Sequence, residues 1–261
     1  MASLLRRCLT LLRAPGNEVG FAVRSRLRWS RGAPGAPRAA TADRIRAANV
    51  ALRDRLVALA GGDVPPCSGD GVLRAIDVGC GDFHYAPALA EWLARHAGGP
   101  RDVVLRGIEV DGFGVYRDGH SRADHARAHA AAAGSSGAVV RFEVADFTRV
   151  RWPEQDVVTM FYPFLSVYPT LRWGLPLSRL RPRRLVAAAV AAVRPGGWLV
   201  VANQTGDEFD RLVRLLADQP VDLVRRTSFA TERVPFAVCT ADRVGSLWRR
   251  RSGATDGPPA G

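Results

Sequence analysis

The residues best suited to chemistry in this sequence surround two glycines, Gly79 and Gly81. Residues 73–78 before them form a short apolar run with Asp77 near its end, as in a buried strand. Residues 86–93 after them form an apolar run of helical type. A strand, a glycine turn and a helix bring backbone N–H groups close to a ligand at the start of the helix. A Cβ at either glycine would fill the space that a nucleoside needs, so the sequence predicts a ligand-binding turn here.

Four more apolar runs follow this turn, and two of them end in an acidic residue. They span residues 103–110, 139–147, 156–161 and 193–203. Glu109 stands at the end of the first of these runs, and Asp146 at the end of the second. In an open parallel sheet, ligands bind beyond the carboxyl ends of the strands, where the strand order reverses. We therefore expect Asp77, Glu109 and Asp146 to gather around one hollow beside the two glycines.

Taken together and in this order, the five segments resemble the motifs of the class I S-adenosylmethionine-dependent methyltransferases, over roughly residues 73–242. The resemblance implies an α/β fold: a Rossmann-like seven-stranded sheet of order 3-2-1-4-5-7-6, with strand 7 antiparallel and helices on both faces. The last two strands are expected over 221–229 and 234–240, joined by a short turn. The cofactor implied by the resemblance is S-adenosyl-L-methionine.

The resemblance assigns cofactor contacts to seven residues in the turn and at the strand ends. They are Asp77, Gly79, Cys80, Gly81, Glu109, Asp146 and Phe147. Glu109 matches the family's ribose-binding acid, which accepts both ribose hydroxyl protons. Asp111, two residues further on, either shares this task or caps the next helix. Asp146 matches the acid that accepts a hydrogen bond from the adenine amino group, and the backbone N–H of Phe147 would meet a ring nitrogen.

Two positions depart from the family pattern. The third glycine of the usual Gly-x-Gly-x-Gly turn is replaced by Phe83, whose side chain would crowd the place of the methionine part of the cofactor. The fourth motif reads Phe161-Tyr162-Pro163-Phe164, whereas amino-directed members often carry Asn/Asp-Pro-Pro-Tyr/Phe. Because the missing Asn or Asp removes an acceptor for a substrate amine, the sequence argues against methylation of DNA bases or glutamine amines.

The loop after the fourth strand is unusually aromatic and should face the reactive methyl group. We assign substrate contacts to Phe164, Tyr168 and Trp173 in this loop, against the alternative that these residues belong to the core. Methyl transfer from a sulfonium is an in-line displacement that depends on alignment and on the exclusion of water. An oxygen nucleophile would need a general base, for which His84 is the first candidate and Tyr162 the second.

The positive charge of the chain is concentrated at its two ends. The formal net charge is +12, and all 37 basic residues are arginine. Residues 1–40 contain eight arginines and one acidic residue, and residues 243–261 contain four arginines and one acidic residue. Exclusive use of arginine indicates a coding bias, so nucleic acid is a less favoured partner than a small molecule. No apolar run approaches the roughly 20 residues that a membrane span needs.

Composition divides the chain into four parts. They are a basic N-terminal extension over 1–40, a helix and linker over 41–71, the methyltransferase domain over 72–242 and a disordered basic tail over 243–261. The N-terminus matches an organellar presequence in composition, but the arginine bias favours a cytoplasmic protein, whose extension packs a helix or stays mobile, over a mitochondrial one. The helix over 41–60 either covers the ligand cleft, as such helices often do in this superfamily, or packs on the sheet.

The sequence offers no metal-ligand pattern. The four cysteines include no CxxC pair. His125 and His129 share a helix face, but without further ligands we expect a solvated face and no metal. The favoured function is methyl transfer from S-adenosylmethionine to a small-molecule acceptor. A noncatalytic methyltransferase-like binding or scaffold module and an RNA-directed methyltransferase are the alternatives.

Overall fold

A computed structural model of the chain describes residues 11–63, 67, 71–96, 102–134, 138–229 and 243–252. Its centre is a seven-stranded sheet of order 3-2-1-4-5-7-6. The strands are β1 (Leu73–Val78), β2 (Val103–Glu109), β3 (Val139–Val144), β4 (Gln155–Phe161), β5 (Val193–Asn203), β6 (Val221–Ser228) and β7 (Val244–Arg250). The first five strands are parallel, and β7 is antiparallel to both β5 and β6. The predicted Rossmann-like fold is confirmed.

Seven helices surround the sheet within the described residues. They are α1 (Ala14–Leu27), α2 (Ala39–Ala60), α3 (Ala86–His96), α4 (Arg122–Gly134), α5 (Val167–Arg172), α6 (Pro182–Ala192) and α7 (Gly206–Leu216). Strand side chains alternate between two hydrophobic clusters, one on each face. In β1, Leu73 and Ala75 join the cluster shared with α2, α3 and α4, whereas Ile76 and Val78 join the cluster shared with α6 and α7.

The strand register brings the carboxyl ends of the central strands to one edge of the sheet. Asp77 in β1 lies beside Gly107 in β2 and Thr159 in β4. Glu109, the last residue of β2, lies beside Val144 at the end of β3. The strand order reverses between β1 and β4, which is where an open sheet of this kind binds its ligand. The register therefore places the predicted acids at the edge formed by the carboxyl ends of the central strands, which we call the functional edge.

The helix predicted over 41–60 is confirmed as α2, which packs on α3 and on strands β6 and β7. Ala48, Leu56 and Leu59 are buried on its inner face. The Asn49 side chain accepts a hydrogen bond from the Ala88 N–H (2.9 Å) and satisfies a free donor at the start of α3. Of the two alternatives for this helix, the structure shows the one that packs on the sheet side.

The last strand of the sheet lies where we predicted a disordered tail. That prediction over 243–261 is wrong for Val244–Arg250, which form β7 between β5 and β6. Its first five residues are buried, while the Arg250 guanidinium reaches backbone carbonyls at the neighbouring end of α6 and the Arg251 guanidinium pairs with Asp222. Because Arg250 and Arg251 at this end of the chain are bonded to neighbouring strands and helices, composition alone gave the wrong answer. The strand predicted over 234–240 lies outside the described residues.

Among the residues that the structure describes, no helix combines the length and the apolar character needed to cross a membrane.

Gly107 is a position where the fold leaves no room for a side chain. A Cβ there would lie 2.7 Å from the Phe83 ring and 2.9 Å from Cys80 Sγ. We expect Gly107→Ala to lower the free energy of unfolding by about 1–3 kcal/mol, because an extra methyl group in a packed core forces its neighbours to shift. Urea denaturation checks this, with Gly134→Ala as the control, because a Cβ at Gly134 meets no atom within 4 Å. Equal stability of the two variants would contradict the packing described here.

Candidate functional site

The glycine turn after β1 is tied to the end of β2 and faces open space. Gly79 and Gly81 have positive φ angles of 76° and 61°, which side-chain-bearing residues rarely adopt. The N–H of Gly79 donates to the Ile108 carbonyl (2.8 Å), and the N–H of Gly81 donates to Glu109 Oε2 (2.9 Å). A Cβ at Gly79 would meet no atom within 4 Å. The turn thus leaves room for a ligand to come close to the protein backbone.

Phe83, which replaces the expected third glycine, does not crowd this space. Its side chain is fully buried in the cluster beneath α3 and α4, against the face of Gly107. Phe83 also has a positive φ angle, 56°, so the backbone follows a path that glycine usually takes. The side chain that we expected near the methionine part of a cofactor is therefore directed into the core.

Glu109 is the buried acid that organises this edge. Its two carboxylate oxygens accept hydrogen bonds from the N–H groups of Gly81 and Asp111, both at 2.9 Å. Each carboxylate oxygen retains a second lone pair, so the group can still accept hydroxyl protons from a ligand. Asp111 itself forms an ion pair with Arg24 (2.9 Å) and lies 3.6 Å from Arg122. Its carboxylate holds two arginines, a contact that the sequence did not reveal.

Asp146 and Phe147 follow β3 and begin a short 3-10 helix, Phe147–Arg149. The Asp146 carboxylate accepts hydrogen bonds from Thr148 N (3.1 Å), Thr148 Oγ1 (2.7 Å) and the Arg179 guanidinium (2.7 Å). Burial alone would raise its pKa, but the bonds from Thr148 and the Arg179 charge lower it. Phe147 is buried and stacks on Trp152 with ring centroids 5.5 Å apart. The acid is thus ionised and rigidly oriented.

A cavity of about 100 Å³ opens at this edge. Six of the residues predicted for the site line it: Gly79, Glu109, Asp146, Phe147, Tyr162 and Phe164. The other six residues predicted for the site are not in its lining: Asp77, Cys80, Gly81, His84, Tyr168 and Trp173. The strand ends therefore bring four of the seven cofactor residues, one catalytic candidate and one substrate candidate into a single hollow.

Trp173 and Tyr168 lie at the protein surface and do not line the cavity. Trp173 is 46% exposed, and its ring lies 3.8 Å from the point where a Gly81 Cβ would stand. The Arg122 guanidinium lies over the same ring, 4.9 Å from its centroid. Tyr168 is partly exposed and contacts Arg172 on its own helix. Trp173 therefore covers the glycine turn, while Tyr168 contacts its own short helix.

Tyr162 lines the cavity in a strained backbone conformation. Its φ angle is 56°, in the left-handed region that non-glycine residues adopt at a cost. Its hydroxyl lies 3.3 Å from a guanidinium nitrogen of Arg243, which also lies over the ring. Burial raises the pKa of Tyr162 despite the opposing charge of Arg243. The hydroxyl keeps its proton at neutral pH, which favours a hydrogen-bonding role over that of a base.

His84 lies beside α2, outside the lining of this cavity. Its Nδ1 lies 2.7 Å from Asp82 Oδ1, and its backbone carbonyl accepts a hydrogen bond from the Asn49 side chain (3.0 Å). Although burial favours the neutral acid, the hydrogen bond and charge of His84 lower the pKa of Asp82 to about 2. This first candidate for a general base is engaged with Asp82 and has no place in the cavity wall.

The N-terminal segment covers the functional edge, which the sequence did not reveal. Asn17, Phe21 and Arg24 lie on one face of α1, at helical spacings of four and three residues. The Asn17 amide donates to the carbonyls of Leu171 and Leu175, at 2.9 and 3.2 Å. Phe21 is buried beneath the guanidinium of the cavity-lining Arg179, 5.0 Å away, and Arg24 pairs with Asp111. In the sequence, this helical spacing of polar and aromatic residues was the signal that could have indicated the packing of α1 on this edge.

Asp77 is fully buried at the end of β1. Its carboxylate accepts hydrogen bonds from the hydroxyls of Tyr85 (2.8 Å) and Thr159 (2.5 Å). Burial raises its pKa to about 7, against the lowering effect of these two bonds. The carboxyl group thus takes up a proton within the physiological pH range, and a cation brought next to it would favour its charged form.

The buried acid makes stability depend on pH. Asp77 has a folded pKa of about 7, and an unfolded aspartate has a pKa of roughly 3.9. Between these values the native state holds one proton more than the unfolded chain, so the free energy of unfolding falls as pH rises towards 7. Asp77→Asn should remove this decline, roughly 3–4 kcal/mol in total, because the amide does not titrate.

Urea denaturation from pH 4 to pH 8 measures the effect. The slopes of the unfolding free energy against pH are compared, so a loss of stability in the variant that is the same at every pH does not affect the result. Asp222→Asn, at an exposed aspartate, serves as the control variant. Parallel profiles for wild type and Asp77→Asn would show that Asp77 does not titrate in this range.

No protein-family model matches the sequence, and no curated protein matches it. Solved structures do match, in 643 chains, which means that the fold is widely shared. A Listeria monocytogenes protein, assigned as a class I S-adenosylmethionine-dependent methyltransferase, matches with a TM-score of 0.52 and 14% identity. The match covers 80% of this chain and 62% of that one.

Two further solved structures match with a TM-score of 0.50 each. One is TrmN from Thermus thermophilus, at 21% identity over 76% of this chain, which spans about half (48%) of that protein. The other, from Galdieria sulphuraria, is assigned as a sarcosine dimethylglycine methyltransferase and matches at 11% identity over 79% of this chain and 88% of its own. The sheet order, the glycine turn and these matches agree: the chain has the fold of the class I S-adenosylmethionine-dependent methyltransferases.

Proposed function

We propose that this protein is an S-adenosylmethionine-dependent methyltransferase that acts on a small-molecule acceptor by in-line transfer. The observation that carries the proposal is the hollow shared by Gly79, Glu109, Asp146 and Phe147 at the carboxyl edge of the sheet. Proteins of the same fold are assigned as S-adenosylmethionine-dependent methyltransferases, which supports this cofactor for the chain.

The residues of the hollow fit an adenosine. Glu109 offers carboxylate lone pairs to the ribose hydroxyls, and Asp146 offers an ionised acceptor to the adenine amino group. Ile108 and Phe147 supply apolar walls for the base. Gly79 leaves the open space in which the sugar would approach the backbone. When bound there, the cofactor supplies a methyl group activated by the positive sulfur.

The chain contributes alignment and exclusion of water. Tyr162 directly follows β4 in a left-handed backbone conformation, and Arg243 contacts its hydroxyl. The protonated hydroxyl is thus positioned to orient an acceptor. His84 lies outside the cavity lining, and the pKa of Tyr162 is raised, so neither candidate base is well suited to deprotonate an alcohol. The site therefore favours an acceptor atom that is already nucleophilic.

The position of His84 outside the cavity lining and the raised pKa of Tyr162 also favour a second candidate, a noncatalytic module that binds the cofactor. Such a module needs the adenosine hollow but no base. The RNA-directed alternative receives less support, because two arginines of the basic N-terminus are used within the protein. Arg24 pairs with Asp111, and Arg31 donates to the Asp118 carbonyl (3.1 Å).

Cofactor binding should depend on Glu109. We expect calorimetry to show binding of S-adenosylmethionine or its demethylated product to the wild type. Glu109→Gln should weaken it by about 10- to 100-fold, because a charge-assisted acceptor is replaced by an amide. Glu154→Gln, at an exposed carboxylate on the opposite edge of the sheet, is the control.

Absence of heat with either compound, in protein that is folded by circular dichroism, would end the cofactor proposal. Binding without methyl transfer to any of a broad panel of small acceptors would favour the noncatalytic module.

The N-terminal cover should control access to the hollow. The cavity of about 100 Å³ is smaller than the roughly 300–1,000 Å³ of common ligand sites, and α1 packs beside it through Phe21 and the cavity-lining Arg179, so we expect α1 to shift when a nucleoside enters. Arg24→Met removes the ion pair to the buried Asp111 and should speed both association and dissociation of the demethylated cofactor. Stopped-flow fluorescence measures both rates, with Arg26→Met on the exposed side of α1 as the control. Identical rates in the two variants would show that α1 does not gate the site.

A further inference from the structure

A second cluster of reactive side chains lies on the loop between β2 and α4 and in the first turn of α4, away from the adenosine hollow. Asp118, His120 and His125 each offer one ligand atom, and these atoms all lie within 4.8 Å of one another. The Nε2 atom of His125 is 2.9 Å from one Asp118 carboxylate oxygen, and the Nδ1 atom of His120 is 3.6 Å from the other. The sequence paired His125 with His129, whereas the fold pairs it with Asp118 and His120.

Two buried imidazole nitrogens of this cluster face the same carboxylate. Among the described residues, the Nδ1 atom of His120 has no hydrogen-bond partner, and the Nε2 atom of His125 meets the Asp118 carboxylate at 2.9 Å. A buried polar atom left unpaired is unfavourable, and native structures seldom keep one without a reason. The arrangement leaves a place for an electrophile between the two imidazoles and the carboxylate.

The distances in the cluster are compatible with one shared metal ion. Four-coordinate zinc binds nitrogen and oxygen ligands at roughly 2.0–2.2 Å, which places neighbouring ligand atoms roughly 3.3–3.6 Å apart. Of the two nitrogen–oxygen separations in the cluster, 3.6 Å matches that spacing, whereas 2.9 Å is the shorter distance of a direct contact that an ion would widen. Two imidazoles and one carboxylate suit zinc, cobalt or nickel better than magnesium or calcium, which prefer oxygen ligands.

The loop that carries the ligands is held in place by its own turn and by the N-terminal segment. Asp118 Oδ1 accepts the His120 N–H (3.0 Å), and Gly119 adopts a φ angle of 82° that allows the turn. The Trp29 indole donates to the Gly119 carbonyl at 3.0 Å, and Arg31 donates to the Asp118 carbonyl. The ligands are therefore positioned before any ion arrives, although the nearby Arg31 charge opposes a cation.

We propose that Asp118, His120 and His125 bind one divalent transition-metal ion, with zinc the best match to the ligand set. Three protein ligands leave a fourth position for water or an exogenous group. The ion would fasten the loop between β2 and α4 to the first turn of α4, which carries His125. The site is independent of the cofactor hollow, so it stands or falls separately from the proposed function.

The test uses the untagged full-length chain, freed of metal by a chelator. Titration with cobalt, followed by the visible d–d absorption and then by competition with zinc, should show one ion per chain. Asp118→Asn, His120→Ala and His125→Ala should each weaken binding by at least about tenfold. The matched control is His129→Ala, one helical turn from His125, because its Nδ1 is already bonded to the Asp82 carbonyl at 2.8 Å.

A measurement on the wild type guards against variants that fail to fold. X-ray absorption of the zinc-loaded protein should show nitrogen and oxygen ligands with imidazole scattering and no sulfur. A sulfur shell would assign the metal to a cysteine such as Cys67 and overturn the proposal. Absence of stoichiometric binding, or equal binding by His129→Ala and the three ligand variants, would overturn it as well.

Discussion

The functional edge depends on one buried carboxylate. Glu109 accepts the N–H of Gly81 from the turn after β1 and the N–H of Asp111 from its own loop. These two bonds fix the spacing between the two strand ends around which the hollow is built. An ionised group out of contact with water is tolerated only where donors surround it. Two backbone donors meet that condition here, with the guanidinium of Arg122 3.9 Å away, and the remaining lone pairs give the edge its capacity to bind hydroxyl groups.

Arginine performs structural work throughout this edge. Arg24 and Arg122 hold Asp111, and Arg179 holds Asp146 while it lies over Phe21. A planar guanidinium can form an ion pair and cover an aromatic ring at the same time, which lysine does less well. Several arginines of the chain are thus used in contacts inside the protein. The net charge is therefore weaker evidence for a polyanionic partner than its value suggests.

Sequence patterns were sufficient for strands β1 to β6 and for the position of the hollow. Apolar runs and glycine turns are local signals, and the helices that follow β1, β2 and β4 favour parallel neighbours in the sheet. The acids Glu109 and Asp146 lie at strand ends, so their convergence could be expected as soon as the strand order was known. The path of Phe83 could not, because it depends on the absence of a side chain at Gly107 in the neighbouring strand.

The sequence by itself determined the strands β1 to β6 and the acids at their ends, because each rests on residues close together in the chain, and its resemblance to the class I methyltransferases implied the strand order. The tertiary structure decided the rest. It placed α1 over the edge, inserted β7 between β5 and β6 despite its arginines, and joined Asp118 to His120 and His125. Each of these outcomes depends on which surfaces pack together. Packing is set by shape, burial and charge pairing between residues far apart in sequence, and local periodicity carries no record of it.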